Sequence, residues 1–116
     1  MSYLVNNCWG DNDLERATVP FILACAAANR GEARMFLTCD ALNLVVRGGA
    51  EGLTASGYSP IKDLIDEFVE KDGRIYVCKV CAGVMNITQD DLIEGAMIGT
   101  APDMMDYLET GAKMLA

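Results

Sequence analysis

Four short apolar runs, at residues 3–7, 33–38, 74–77 and 96–99, alternate with long links that carry helical patterns. No other feature constrains the fold as much. Strands that follow one another in a chain lie parallel only when a crossover of a dozen or more residues joins them, and every link here is long enough. The implied class is α/β: three layers, α/β/α, around a mainly parallel sheet of four or five strands.

In the first link, Leu14, Ala17, Phe21, Ala24 and Ala28 recur at three- and four-residue steps, which puts them on one helix face. Asp11 or Asp13 supplies the cap and Gly31 the stop. Pro20 predicts a kink unless the regular helix begins at Thr18. Residues 42–46 suit a short helix. Residues 48–57, rich in glycine and polar side chains, read as a mobile loop with little to anchor a core. Ser59-Pro60 marks the next helix start, with the serine as cap and the proline in the first turn. Its apolar stripe is Ile61, Leu64, Ile65, Phe68 and Val69. Thr88 and Asp91 have the capping spacing for a short helix reaching Glu94. A last helix opens at Ala101-Pro102-Asp103 and places Met104, Tyr107, Leu108, Gly111 and Leu115 inward.

With 116 residues and a hydrophobic fraction of 52%, a single domain over residues 1–116 can bury a core without disulfide staples. The longest apolar stretch, residues 19–28, is too short to cross a bilayer, and no basic-then-apolar leader opens the chain, so a cytoplasmic location is expected. The formal net charge is −8, and residues 80–112 hold six acids and no base. Such a surface repels phosphate backbones and anionic lipid, which argues against nucleic-acid and membrane partners. The acids themselves read as solvated helix faces.

There are five cysteines and no histidine, so cysteine is the strong nucleophile available. An odd number of thiols without a secretion signal argues against a disulfide framework. Cys8, Cys39 and Cys78 each fall at or just past the end of an expected strand. In a parallel sheet those ends share one edge, where α/β proteins build their sites. Cys81 joins them from the first turn of the helix after Cys78, whereas Cys25 sits among the inward residues of the first helix and reads as core packing. A thiol at a helix start meets unpaired amides and the positive end of the dipole, which favour the thiolate, and Lys79 adds a cation. The plainer reading of Cys78 and Cys81 is two small buried hydrophobes.

Other chemistries fit less well. A zinc site needs about four ligands; without histidine only Cys8, Cys39 or another subunit would complete one around Cys78 and Cys81. The seven methionines suit packing better than copper binding. Neither Gly10-Asp11-Asn12-Asp13 nor Gly48-Gly49 has the spacing of a phosphate-cradling loop. No cofactor is implied.

The chain resembles the DsrE/DsrF-like family, which includes the TusD-type sulfur relay proteins. The resemblance lies in Gly10-Asp11 and Glu15-Arg16 after the first strand, then Pro20 and the run Leu23-Ala24-Cys25-Ala26-Ala27-Ala28. It continues through Gly31, Met35-Phe36-Leu37-Thr38 and Asp40. Its most telling piece is Gly73-Arg74-Ile75-Tyr76-Val77-Cys78-Lys79-Val80-Cys81-Ala82, followed by Ile87-Thr88 and Asp91-Leu92-Ile93-Glu94-Gly95-Ala96. The resemblance implies a small α/β/α protein assembling as a homotrimer or homohexamer. It implies sulfur carried as a persulfide on Cys78, with a sulfur donor or acceptor protein as partner. Cys81 is a resolving or second acceptor thiol in that scheme, and Lys79 an electrostatic aid. Relay members often carry Arg-Gly where this chain has Met85-Asn86. A non-enzymatic oligomeric binding module and a Cys78–Cys81 dithiol switch are the alternatives.

Overall fold

In the computed structural model, which describes residues 1–116, the opening apolar run becomes β1 (Ser2–Asn7). Its residues alternate between two buried environments. Val5 joins a large cluster with Met35, Leu37, Ile75 and Val77, whereas Leu4 packs with Met104 and Tyr107. A strand buried on both faces needs helices on both sides of the sheet.

The other strands are β2 (Glu32–Leu37), β3 (Arg74–Cys78), β4 (Ala96–Gly99) and β5 (Lys113–Leu115), and all five pair in parallel in the order β4-β3-β2-β1-β5. From β1 to β4 the chain steps one way across the sheet, then jumps back over it to β5. Right-handed crossovers put helices of opposite progression on opposite faces. Accordingly α1 (Leu14–Ala28) and α2 (Ile61–Glu70) supply the large cluster with Phe21, Ala24, Ile61, Ile65 and Phe68. The other face carries α4 (Ala101–Glu109) through Met104 and Tyr107. Arg34, whose buried Nε makes no hydrogen bond, lies 4.0 Å from the Tyr107 ring centroid and 5.5 Å from that of Tyr76, a cation stacked between sheet and α4. The three-layer α/β arrangement expected from the alternation is therefore what forms.

Helix α1 begins at Leu14, capped as expected by Asp13 through Arg16 N, and takes Pro20 into its interior. Other local expectations are corrected. Ser59 does not cap α2. Pro60 holds the cap position, and the Ile61 amide is taken by the Leu53 carbonyl at 3.1 Å. That bond belongs to the segment read as a mobile loop, which is tied down in addition by buried Ala50 and Ala55. The short helix around Leu42 is a 3-10 helix over Cys39–Val45.

The helix expected from Thr88 to Glu94 is only a 3-10 turn, Gln89–Asp91, closed by a Thr88–Asp91 capping box. It stops because Leu92 is drawn into an antiparallel bridge with Val46. Gly111 and Leu115 are not on the last helix: the chain turns at Gly111 with φ +101°, open to glycine, and Leu115 pairs with Val5 as part of the additional strand β5. No helix is long and apolar enough to cross a membrane.

Candidate functional site

Parallel pairing brings the carboxyl ends of all strands to one rim. The register Leu37↔Val77 sets Thr38 and Cys39, which follow β2, beside Cys78 at the end of β3. On the other side Cys78 faces Gly99, so no side chain from β4 crowds it. Cys78 closes the strand and is also the residue before α3 (Lys79–Val84), with its side chain free of any capping bond. It is half-buried. The strand–cysteine–helix junction forms as the β-branched run and its break imply.

Cys81, one turn into α3, is half-buried as well. Its Sγ accepts a hydrogen bond from the Cys39 backbone N–H at 3.4 Å. Cys39 itself adopts a left-handed backbone, φ +51°, unusual for a residue with a side chain. The Cys39 amide pulls the Cys81 pKa down, but burial and the neighbouring thiols of Cys78 and Cys39 push it up and outweigh the amide. Three thiols thus meet at one place on the rim, graded from half-buried Cys78 and Cys81 to exposed Cys39. Lys79 is exposed beside them.

Cys8 shares the edge but not the cluster. It lines a cleft of about 890 Å³ with Trp9, Arg16, Phe36, Thr38 and Tyr58. Arg16 stacks on Trp9 at 5.0 Å, and the Tyr58 hydroxyl donates to Glu15 at 3.1 Å. Buried Asn7 shapes the loop between them: its Nδ2 donates to the Ala17 carbonyl at 3.2 Å and its Oδ1 accepts from Trp9 N at 2.9 Å. Cys25 is core, as expected: its thiol points to the Leu64 carbonyl at 3.4 Å, and burial, with Glu67 nearby, pushes its pKa up to about 11. No three acidic or thiol side chains are placed to hold a metal ion.

Of the residues singled out by pattern, Cys78 and Cys81 come together and Cys39 joins them. Lys79, next to Cys78 in the chain, is exposed, and its side chain makes no hydrogen bond or ion pair. The strand-end positions set Cys39 and Cys78 at one edge, but the contact of the Cys39 amide with Cys81 spans 42 positions and no sequence spacing signals it. The cleft around Cys8 is equally silent, since its walls come from β1, β2, α1 and the 48–60 segment.

A family model described as the DsrE/DsrF-like family matches residues 1–116. An uncharacterized protein of Methanocaldococcus jannaschii is 28% identical over 103 residues, 88% of this chain, and the chain spans 38% of that relative's length. Among solved structures, the ychN protein of E. coli is similar with a TM-score of 0.65 at 20% identity, over 98% of this chain and 95% of its own. A protein of unknown function from Methanobacterium thermoautotrophicum gives 0.64 at 14% identity, over 98% and 95%. A conserved protein of unknown function from Bacteroides thetaiotaomicron gives 0.65 at 17%, over 98% and 92%. At these identities the structural likeness is one of fold.

Proposed function

The chain belongs to the DsrE/DsrF-like family, and from that premise we propose that it handles sulfur as a persulfide carried on Cys78. The observation that carries the reading is a half-buried thiol at a strand end, unhindered by capping and flanked by two further thiols, in a chain with no histidine. Persulfide exchange suits such a chain because the thiolate is its own nucleophile. The Cys78 thiolate attacks the outer sulfur of a donor persulfide, the donor's S–S bond breaks, and the donor leaves as a thiolate. Cys81 is the second thiol of the exchange. Lys79, exposed beside the site, attracts the anionic donor. The net charge of −8 selects basic donor or acceptor surfaces by steering.

Assembly as a homotrimer or homohexamer belongs to the same proposal, and exposed Val80 and Val84 on α3 support it. Reduced protein incubated with a persulfide donor is expected to gain sulfur by intact mass, and Cys78→Ser to lose that gain. No adduct on the wild type, or an adduct that survives Cys78→Ser, sinks the reading.

The meeting of Cys78 with Cys81 favours one alternative, a dithiol switch. Mild oxidation that removes two hydrogens, reversed by dithiothreitol, with no sulfur uptake from the donor, would establish it instead.

A further inference from the structure

The Cys39 backbone N–H donates to Cys81 Sγ at 3.4 Å, which holds a third cysteine beside the pair at the β3–α3 junction, and this cysteine is the exposed one. A protein acceptor docking on the rim meets Cys39 before either half-buried sulfur. Cys39 also holds a left-handed backbone that its side chain disfavours, and residues kept in such conformations by their surroundings cluster at working sites. Its side chain is not packing the core, so burial does not account for a cysteine here.

The geometry points to Cys39 as the exit thiol of the site: sulfane sulfur taken up on Cys78 passes to Cys81, then to Cys39, and leaves from there to an acceptor thiol. This rests on the persulfide reading above. In the first handover the Cys81 thiolate attacks the outer sulfur of the Cys78 persulfide. The S–S bond of that persulfide breaks, a new one forms on Cys81, and Cys78 leaves with the bonding pair as a thiolate that takes up the proton Cys81 gave. The second handover repeats this between Cys81 and Cys39. Each step turns one thiol and one persulfide into one persulfide and one thiol, so neither oxidant nor reductant is consumed.

The test loads the reduced full chain with substoichiometric inorganic polysulfide, quenches it with an alkylating agent at intervals, and locates sulfane sulfur by peptide mass spectrometry. A thiol-ended polyethylene glycol, too bulky for the half-buried thiols, serves as acceptor. In the wild type sulfur is expected on Cys78 first and on Cys39 last. Cys81→Ser should load Cys78 and leave Cys39 clear. Cys39→Ser and Cys39→Gly should load Cys78 normally while transfer to the polymer falls by an order of magnitude. Glycine suits the left-handed backbone, so a loss shared by both variants belongs to the thiol.

Cys39 loading at the wild-type rate in Cys81→Ser overturns the proposal, as does undiminished transfer in both Cys39 variants. Release of hydrosulfide with a Cys78–Cys81 disulfide in place of handover overturns it too. Sulfur confined to Cys78 defeats this inference alone, whereas no sulfur on any cysteine defeats the carrier reading with it.

Discussion

The same element has different chemistry at different residues of this chain, and burial decides which. Cys25 and Cys81 both have raised pKa values, but for different reasons: Cys25 because it is buried in the core, Cys81 because burial and two neighbouring thiols outweigh a donated amide. The Cys25 case has a pH consequence. With a folded pKa raised from 9.0 to about 11, the native state keeps a proton that the unfolded chain has already released. Stability from this group is therefore whole below pH 9 and falls as pH rises toward about 11. Denaturant titrations across that window are expected to show a decline on the order of 1–2 kcal/mol that Cys25→Ala lacks. In native protein at pH 8, Cys25 should also resist alkylation while exposed Cys8 and Cys39 react.

Between residues and the whole, the elements owe their limits to neighbours as much as to their own signals. Helix α1 tolerates Pro20 at its middle, where the lost amide leaves the Arg16 carbonyl without its helical donor. The buried face made by Ala17, Phe21 and Ala24 holds it in place. The 3-10 helix after β2 is pressed from the other side by the β1–α1 loop: a Cβ on Gly10 would stand 2.2 Å from the Asp40 carbonyl oxygen. Gly10→Ala is thus expected to cost about 1–3 kcal/mol. Because Asp40 adjoins Cys39, the same change should displace the Cys39 amide from Cys81 and alter the rate at which Cys81 is alkylated. A melting curve and a site-resolved alkylation assay check the two halves. An unchanged melting temperature would show that the loops part freely.

For the molecule as a whole, the sheet is covered unequally. One face has α1, α2, Ala82 of α3 and a broad cluster, the other has α4 and a cluster of three buried side chains. The most exposed large apolar side chains are Val84 at 79% and Val80 at 74%, four residues apart on α3 and next to the thiols. Residues at this spacing project to one side, so they form a pair that a second subunit can cover. If the proposed assembly uses this face, Val80→Asp with Val84→Asp should shift a trimer or hexamer toward monomer in sedimentation velocity without loss of circular dichroism. A wild-type monomer at micromolar concentration refutes the assembly itself. The same whole-molecule view explains which expectations failed. Ser59 lost its capping role to a carbonyl eight residues upstream of Ile61, and the helix after Thr88 was cut short by a bridge to Val46. Both competitors are distant in sequence or lie in loops, where periodicity carries no signal.

Local pattern alone determined four of the five strands, the inward faces of α1 and α2, and the placement of Cys78 at a strand end before a helix. Period-two and period-3.6 apolar spacing is a property of neighbouring residues, and burial follows it. The place of Cys39 after a strand already puts it at the same sheet edge as Cys78. The position of β5, the anchoring of residues 48–57 and the contact of the Cys39 amide with Cys81 came only with the tertiary structure. A three-residue strand is too short to announce itself, and a hydrogen bond across 42 positions is made by the packing of β2 beside β3, which no local stretch of chain encodes.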